Sequence, residues 1–350
     1  MTIINNSANL AYINVNQAIE KLNNGELVAI PTETVYGLAA NINIGGAIDN
    51  IYKLKGRPNN HPLIVHVHQN FDVEKYAKVN YIAQKLIDNF WPAPLTLVLP
   101  KTKYISEYIT GGQNTVAIRS PNHILTQEVL GELNCGVAAP SANKFGYISP
   151  TKAIHVYNEY INHDMKDIKL SILDGGDCEI GLESTIVYIN GDNTITILRH
   201  GMLSINELSA LVEVKEKPEV KISKIENTPR VSGELLSHYA PKTNMSILTQ
   251  QQLINFNTVS IGTESFILCF SDTFHQIKLN CENMRDEYIT EYIKMLSSNP
   301  NEYAHDLYDT LRNADNICQS KKISKIYIEQ IPDNIEWIAI QDRLNKASHK

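Results

Sequence analysis

Lys55 and Arg57, two cations either side of a glycine in Lys55-Gly56-Arg57-Pro58, and Arg119, four residues after Thr115 in Thr115-Val116-Ala117-Ile118-Arg119, are well suited to hold an anion. A guanidinium makes two parallel bonds to a carboxylate or phosphate, and residues four apart on a strand share a face. Lys55 and Arg57 admit two readings: charge that complements the negative end of a helix stopped at Gly56, or a clamp on phosphate. Hydroxyls and imidazoles recur nearby in the chain. An apolar run ends in Pro31-Thr32-Glu33-Thr34, the alternating segment from Leu63 carries His66 and His68, and Ser141, Asn143, Ser149 and Thr151 follow the apolar run that closes at Ala139. Glu183-Ser184-Thr185 follows the Gly-rich Asp174-Gly175-Gly176. Such hydroxyls bind ligands or cap turns and helices, and both readings stand. His66 and His68 would offer two metal ligands on one strand face, but no third is apparent, so His66 reads better as a hydrogen-bonding partner of a substrate. P-loop, G-x-G-x-x-G, G-x-S-x-G and H-E-x-x-H signatures are absent.

These side chains are far apart in sequence, so the elements between them must bring them together. Strand-length apolar runs alternate with helix-period segments from about residue 10 to 210, the pattern of a mixed α/β domain. The spacing predicts strands at 27–30, 63–68, 95–99, 115–119, 136–139, 184–188 and 194–198, and helices near 47–55, 74–90, 122–133, 151–160 and 204–212. Periodicity then gives way to a charged, Pro-punctuated stretch, read as a linker over 213–244. A smaller α/β domain follows over 245–350, with strands near 245–248, 266–270 and 326–329 and helices near 285–297 and 300–314. The first domain is assigned residues 1–212.

With 350 residues and 43% apolar content, each domain has enough material for a core. The formal charge of −7 argues against a protein that binds chiefly by blanketing a phosphate backbone. Five widely spread cysteines form no C-x-x-C pair, which suggests neither a disulfide framework nor a zinc knuckle. A polar N-terminus and the lack of a long apolar run lead to the expectation of a cytoplasmic protein without a membrane span.

Taken in order, Pro31-Thr32-Glu33-Thr34-Val35-Tyr36-Gly37-Leu38, Lys55-Gly56-Arg57-Pro58, Pro62-Leu63-Ile64-Val65-His66, Trp91-Pro92-Ala93-Pro94-Leu95-Thr96, Thr115 to Arg119, Ala139-Pro140-Ser141-Ala142-Asn143, Ser149-Pro150-Thr151 and Glu183-Ser184-Thr185 closely resemble the YrdC-like family over about residues 15–206. Ser237-His238-Tyr239-Ala240-Pro241, Asp306 to Arg312 and Ala339 to Leu344 resemble the linker and accessory domain of its two-domain members, the threonylcarbamoyl-AMP synthases. The resemblance implies an α/β fold: a twisted mixed sheet with surrounding helices and a deep basic cavity, plus a smaller Rossmann-like C-terminal domain. It implies synthesis of L-threonylcarbamoyladenylate from L-threonine, bicarbonate or CO2 and ATP, with Mg2+ held by the phosphates and no protein metal site. Thr34, His66, Arg119, Ala139 and Ser184 are then implied for L-threonine, and Lys55, Arg57, His61, Thr115, Ser141, Asn143, Ser149 and Arg199 for the nucleotide. Lys55 and Arg57 would also serve catalysis by neutralising the triphosphate. Implied partners are the downstream tRNA threonylcarbamoyl-transfer machinery and a weak tRNA contact. Leu236, His61 and His200 stand where the family has an aromatic, a small polar residue and a proline. The alternative is an RNA-binding module without catalysis, against which net acidity weighs.

Overall fold

The computed structural model describes residues 10–162, 167–190, 194–216, 229–233, 235, 237–281 and 285–349; Leu236 and much of the expected linker lie outside them. Two compact units emerge, one of residues 1–145 and 149–234, the other of 146–148 and 235–350.

The larger unit is built on eleven strands: β1 (Leu10–Ile13), β2 (Leu27–Ile30), β3 (Gly37–Asn41), β4 (Ile64–His66), β5 (Leu95–Pro100), β6 (Thr115–Arg119), β7 (Val137–Ala138), β8 (Leu170–Leu173), β9 (Thr185–Ile189), β10 (Ile195–Arg199) and β11 (Val214–Glu216). They form one mixed sheet in the order β1-β8-β2-β3-β7-β4-β6-β5-β9-β10-β11. Alternation along the strands sorts their side chains onto two faces. Leu63, Val65, Val67, Leu95, Leu97, Leu99, Val116 and Ile118 lie in the main core, as the alternation from Leu63 predicts. On the opposite face, Val28, Ile30, Ala39 and Val137 pack with Ala18, Leu22, Val129 and Leu130 from helices Val15–Asn23 and Ile124–Leu133. Farther along that face only a small cluster lies over the strands: Ile64, Val98, Ala117, Ile186 and Leu198 with Val231. The polar residues of interest gather there.

Local structure departs from the periodicity in instructive places. The predicted helix 74–90 is a short 3-10 turn, Val73–Lys75, and a separate helix, Tyr81–Phe90, whose N-cap Asn80 accepts from Ala83 N–H. Strand β4 ends at His66, so His68 leaves the ladder and its Nδ1 accepts from Asn70 N–H instead of facing a shared ligand with His66. Strand β11 lies where the linker was expected to begin and pairs in parallel with β10.

The smaller unit has a parallel sheet of β12 (Asn244–Leu248), β13 (Ser265–Phe270), β14 (Ile293–Leu296) and β15 (Lys325–Glu329), in the order β12-β15-β13-β14. The predicted helix 285–297 ends at Tyr292 and continues as β14, because Ile293 and Leu296 pair beside Ile267 and Phe270 and gain a buried ladder. Among the described residues, no helix is long and apolar enough to cross a membrane.

Candidate functional site

The site is organised by register. Across five neighbouring strands, His66 in β4 lies opposite Arg119 in β6, Arg119 opposite Thr96 in β5, Thr96 opposite Ile186 in β9, and Ile186 opposite Arg199 in β10. Residues directly opposite in a regular ladder project to the same face, so an imidazole, a guanidinium and a hydroxyl stand side by side; the register of β10 shifts between Ile197 and Arg199, and Arg199 meets the row through Ser184.

Arg119 is 4% exposed and anchored on three sides. Its Nε donates to Ala93 O at 3.3 Å, its Nη1 donates to Thr34 Oγ1 at 2.8 Å, and its Nη2 lies 2.6 Å from Glu33 Oε2. Thr34 is set by Thr32, whose Oγ1 accepts from the N–H groups of Thr34 and Val35 and donates to Val35 O at 2.6 Å. That local side-chain turn explains how Pro31-Thr32-Glu33-Thr34 can be buried without orphaning its backbone. His66 beside it is buried, and its pKa is pushed down to about 3 by burial and by the Arg119 charge, so the ring is neutral at physiological pH. Ala139 contributes backbone, its N–H donating to Ile64 O at 3.0 Å.

At the other end of the row, Arg199 donates through Nε and Nη2 to the carbonyl and hydroxyl of Ser184, and through Nη1 to Ser232 O. The Ser184 hydroxyl lies 2.7 Å from Thr96 Oγ1. Ser149 donates to Glu183 Oε1 at 2.5 Å.

Lys55 and Arg57 form a second patch. Helix Ala47–Lys55 stops at Gly56, whose φ of 63° is the left-handed geometry that favours glycine. The Lys55 ammonium is buried and donates to Ser141 O at 2.6 Å and to Asn143 O. Burial, with Arg57 close by, holds its pKa well below the usual lysine value. Arg57 Nη2 donates to Pro62 O at 2.8 Å, and its guanidinium stands over the Phe145 ring, whose edge also meets His61. Asn143 turns its amide onto Lys144 O. Thus the loop 141–145 is closed over both cations. Between the two patches, Pro62 and Thr115 line a cavity of about 10 Å³ together with Arg230, Val231 and Ser232, room for about one water.

The residues expected in the site fall into two groups, each held by its own contacts. Thr34, His66, Arg119 and Ser184 share the row; Lys55, Arg57, His61, Ser141 and Asn143 share the second patch. Thr115 lines the small cavity with Pro62 and Ser232, Arg199 donates to Ser184 and Ser232, and Ser149 donates to Glu183. Glu33 and Thr96 belong to the row without any role read from sequence. Their own motifs contain them, but the partner that gives each its meaning, Arg119 for both, is 86 residues away for Glu33 and joins Thr96 only through the antiparallel ladder. Among the described residues no cluster of His, Cys, Asp and Glu could hold a metal ion.

Residues 20–201 match the Sua5–YciO–YrdC family model, described as telomere recombination, and residues 203–349 match the threonylcarbamoyl-AMP synthase C-terminal domain. A threonylcarbamoyl-AMP synthase of Pyrococcus abyssi is 32% identical over 96% of this chain and 97% of its own length. One from Bacillus subtilis is 34% identical over 95% and 92%. A crystal structure of Pyrococcus abyssi Sua5 complexed with L-threonine is 29% identical, covers 97% of each chain and superposes with a TM-score of 0.78.

Proposed function

Since this chain belongs to the Sua5–YciO–YrdC family and carries the C-terminal domain of the threonylcarbamoyl-AMP synthases, we propose that it joins L-threonine, bicarbonate or CO2 and ATP into L-threonylcarbamoyladenylate and releases pyrophosphate. It is an enzyme of the adenylyl-transferring kind, and membership of this family favours that reading over a non-catalytic RNA-binding module. One observation supports the assignment of parts: the larger unit holds both a group suited to an amino acid, His66, Arg119, Thr34 and Ser184, and a group suited to phosphates, Lys55, Arg57 and the loop 141–145.

Arg119 receives the amino acid's carboxylate, because a fixed guanidinium aligned by Ala93 and Thr34 retains N–H donors and needs little reordering. The carbamate formed on the amino group then attacks the α-phosphorus of ATP, and pyrophosphate leaves. This displacement needs alignment and charge neutralisation, which buried cations supply more strongly than exposed ones. Arg57 serves as such a cation. Lys55 orders the Ser141 and Asn143 carbonyls, and an arriving phosphate would hold its amine in the charged form. These cations would line the basic cavity that membership of the family implies. Their chemistry fits phosphate oxygens and not a metal's ligand shell, so Mg2+ would arrive on ATP, held by phosphate and water, and screen the triphosphate charge. The product would pass to the machinery that modifies tRNA with threonylcarbamoyl groups, in the cytoplasm, with a weak tRNA contact as an additional partner.

The purified protein, given ATP, Mg2+, bicarbonate and L-threonine, is expected to release pyrophosphate only when threonine is present. Release at the same rate without threonine would overturn the reading.

A further inference from the structure

Asp306 to Arg312 stands out in the sequence as a motif, yet no step of the reaction uses it. It lies in helix Pro300–Lys321 of the smaller unit, where Tyr308, Arg312, Asp315 and Gln319 are spaced four, three and four apart and so share one face. That face holds main chain. Asp315 accepts from the N–H groups of Lys242 and Thr243 at 2.9 and 2.8 Å, Gln319 donates to Thr243 Oγ1 at 2.9 Å, and Tyr308 stacks on Tyr239, over whose ring the Arg343 guanidinium stands. Arg312 donates through Nη2 to Ile148 O. Gly146, Tyr147 and Ile148 belong to the smaller unit, although the chain up to Phe145 and from Ser149 belongs to the larger. Ala240 N–H donates to Gly146 O at 3.0 Å, and Tyr147 pairs with Ala240 in an isolated parallel bridge. One helix face thus seats two segments at once, 239–243 and 146–148.

Both flanks of the three seated residues are pinned as well. Phe145 N–H donates to Lys55 O at 2.8 Å, and the Ser149 hydroxyl donates to Glu183. Gly146, at a φ of 87°, turns the chain into the seat with the left-handed geometry that glycine adopts freely. Three residues between fixed ends have little slack, so the point at which Ile148 O is held decides the path of the loop from Ser141 to Ser149. A guanidinium suits this task, because it is a permanently charged donor with a rigid fork and its acceptor here is a carbonyl that any side chain would leave in place. The opposite segment is equally constrained: Tyr239 is buried at a φ of 61°, a conformation that a bulky residue keeps only where its surroundings impose it. Resting on the reading that Lys55, Arg57 and the loop 141–145 take the triphosphate, we propose that Arg312 is a positioning residue for the nucleotide. By seating Ile148 it fixes the loop that carries Ser141, Asn143 and Ser149, and the smaller unit thereby sets the affinity for ATP through the chain it holds.

The test joins amide hydrogen exchange to calorimetry with ATP and Mg2+ on the full chain, unaltered and as Arg312→Met and Arg312→Lys. Arg312→Met keeps the apolar stem and removes the donor. It should speed exchange over residues 141–149 and at Ala240, while Lys242 and Thr243, held by Asp315, stay protected. Affinity for ATP should fall about tenfold, the scale of one charge-assisted hydrogen bond, and the KM for ATP should rise while that for threonine holds. Arg312→Lys, still a cationic donor, should recover part of both effects. Unchanged exchange over 141–149 overturns the inference, as does faster exchange there with unchanged affinity for ATP. Faster exchange through all of β12 to β15 also overturns it, since that would mark Arg312 as merely structural. Coupling between sites is reciprocal, so ATP with Mg2+ added to the unaltered chain should slow exchange over 146–148 and at Ala240; no change there overturns the inference even if neither variant folds. An unaltered chain that binds no ATP would fail the parent reading of the loop and its cations, an outcome separate from unchanged affinity in Arg312→Met alone.

Discussion

At the scale of single residues, burial decides what the charges do. Arg119 cannot be removed quietly. Arg119→Ala strips Glu33 of the counter-charge 2.6 Å away in a site 2% exposed, and breaking such a pair costs about 3–5 kcal/mol. Urea unfolding should register that loss, and the threonine concentration needed for half-maximal pyrophosphate release should rise sharply. His66 makes a second prediction with a definite sign. Its folded pKa of about 3 lies below the ordinary histidine value of 6.5, so the folded state binds fewer protons than the unfolded state between those values. Stability from this group is complete above pH 6.5 and is lost as pH falls from 6.5 toward 3. A shift of this size corresponds to a few kcal/mol, on the order of 1.4 per unit. His66→Asn should flatten the acid limb of a stability-against-pH curve; an unchanged limb would mean that other groups control it.

At the scale of elements, the strands and the turns that join them set the site's tolerances. Gly201 follows β10, and a Cβ there would lie 2.3 Å from Thr185 N and 2.6 Å from the Ser184 carbonyl carbon. No side chain can yield, because the obstacles are backbone atoms. Gly201→Ala should therefore displace the start of β9, cost roughly 1–3 kcal/mol in thermal or urea unfolding, and reduce activity by moving Ser184 off Thr96 and Arg199. The loop 141–145 depends in the same way on one lysine. In Lys55→Met the Ser141 and Asn143 carbonyls lose their buried donor, at about 1–3 kcal/mol for each group left unsatisfied. The ATP concentration required for half-maximal rate is expected to rise more than that for threonine, and steady-state kinetics with each substrate varied in turn would reveal the opposite order. These elements were partly legible. Alternation marked the faces of β4 and β6 because one face enters the main core, whereas residues 285–297 read as one helix because Ile293 and Leu296 fit a helical period as well as they fit β14, and only the ladder beside β13 distinguishes them.

At the scale of the whole molecule, the two units carry titrations of opposite sense. In the larger unit His66 withdraws stability as pH falls. In the smaller unit Glu329 is buried, caps Phe270 N–H and Thr273 Oγ1, and has a pKa raised by burial above the ordinary glutamate value. A carboxylate raised in the folded state contributes stability that is present below its unfolded pKa and lost as pH rises through the folded one. Calorimetry across pH should show Glu329→Gln reducing loss on the alkaline side of the carboxylate range and His66→Asn reducing loss on the acid side. Unchanged limbs in either variant would mean that other groups control them.

The linear sequence was sufficient for the α/β class, the ordered motifs and the cast of cations and hydroxyls, because these depend on local alternation, turn chemistry and residue type. It named Arg119, His66, Ser184 and Lys55. What it could not contain is which of them stand side by side. The row from His66 to Arg199 is a fact of strand order and register, and strand order is chosen by the burial of whole faces over separations of tens of residues. Glu33 shows the difference most plainly: in the sequence it is an acidic residue between two threonines, and only the packed sheet, by bringing Arg119 to 2.6 Å and shutting out water, makes it half of a buried ion pair.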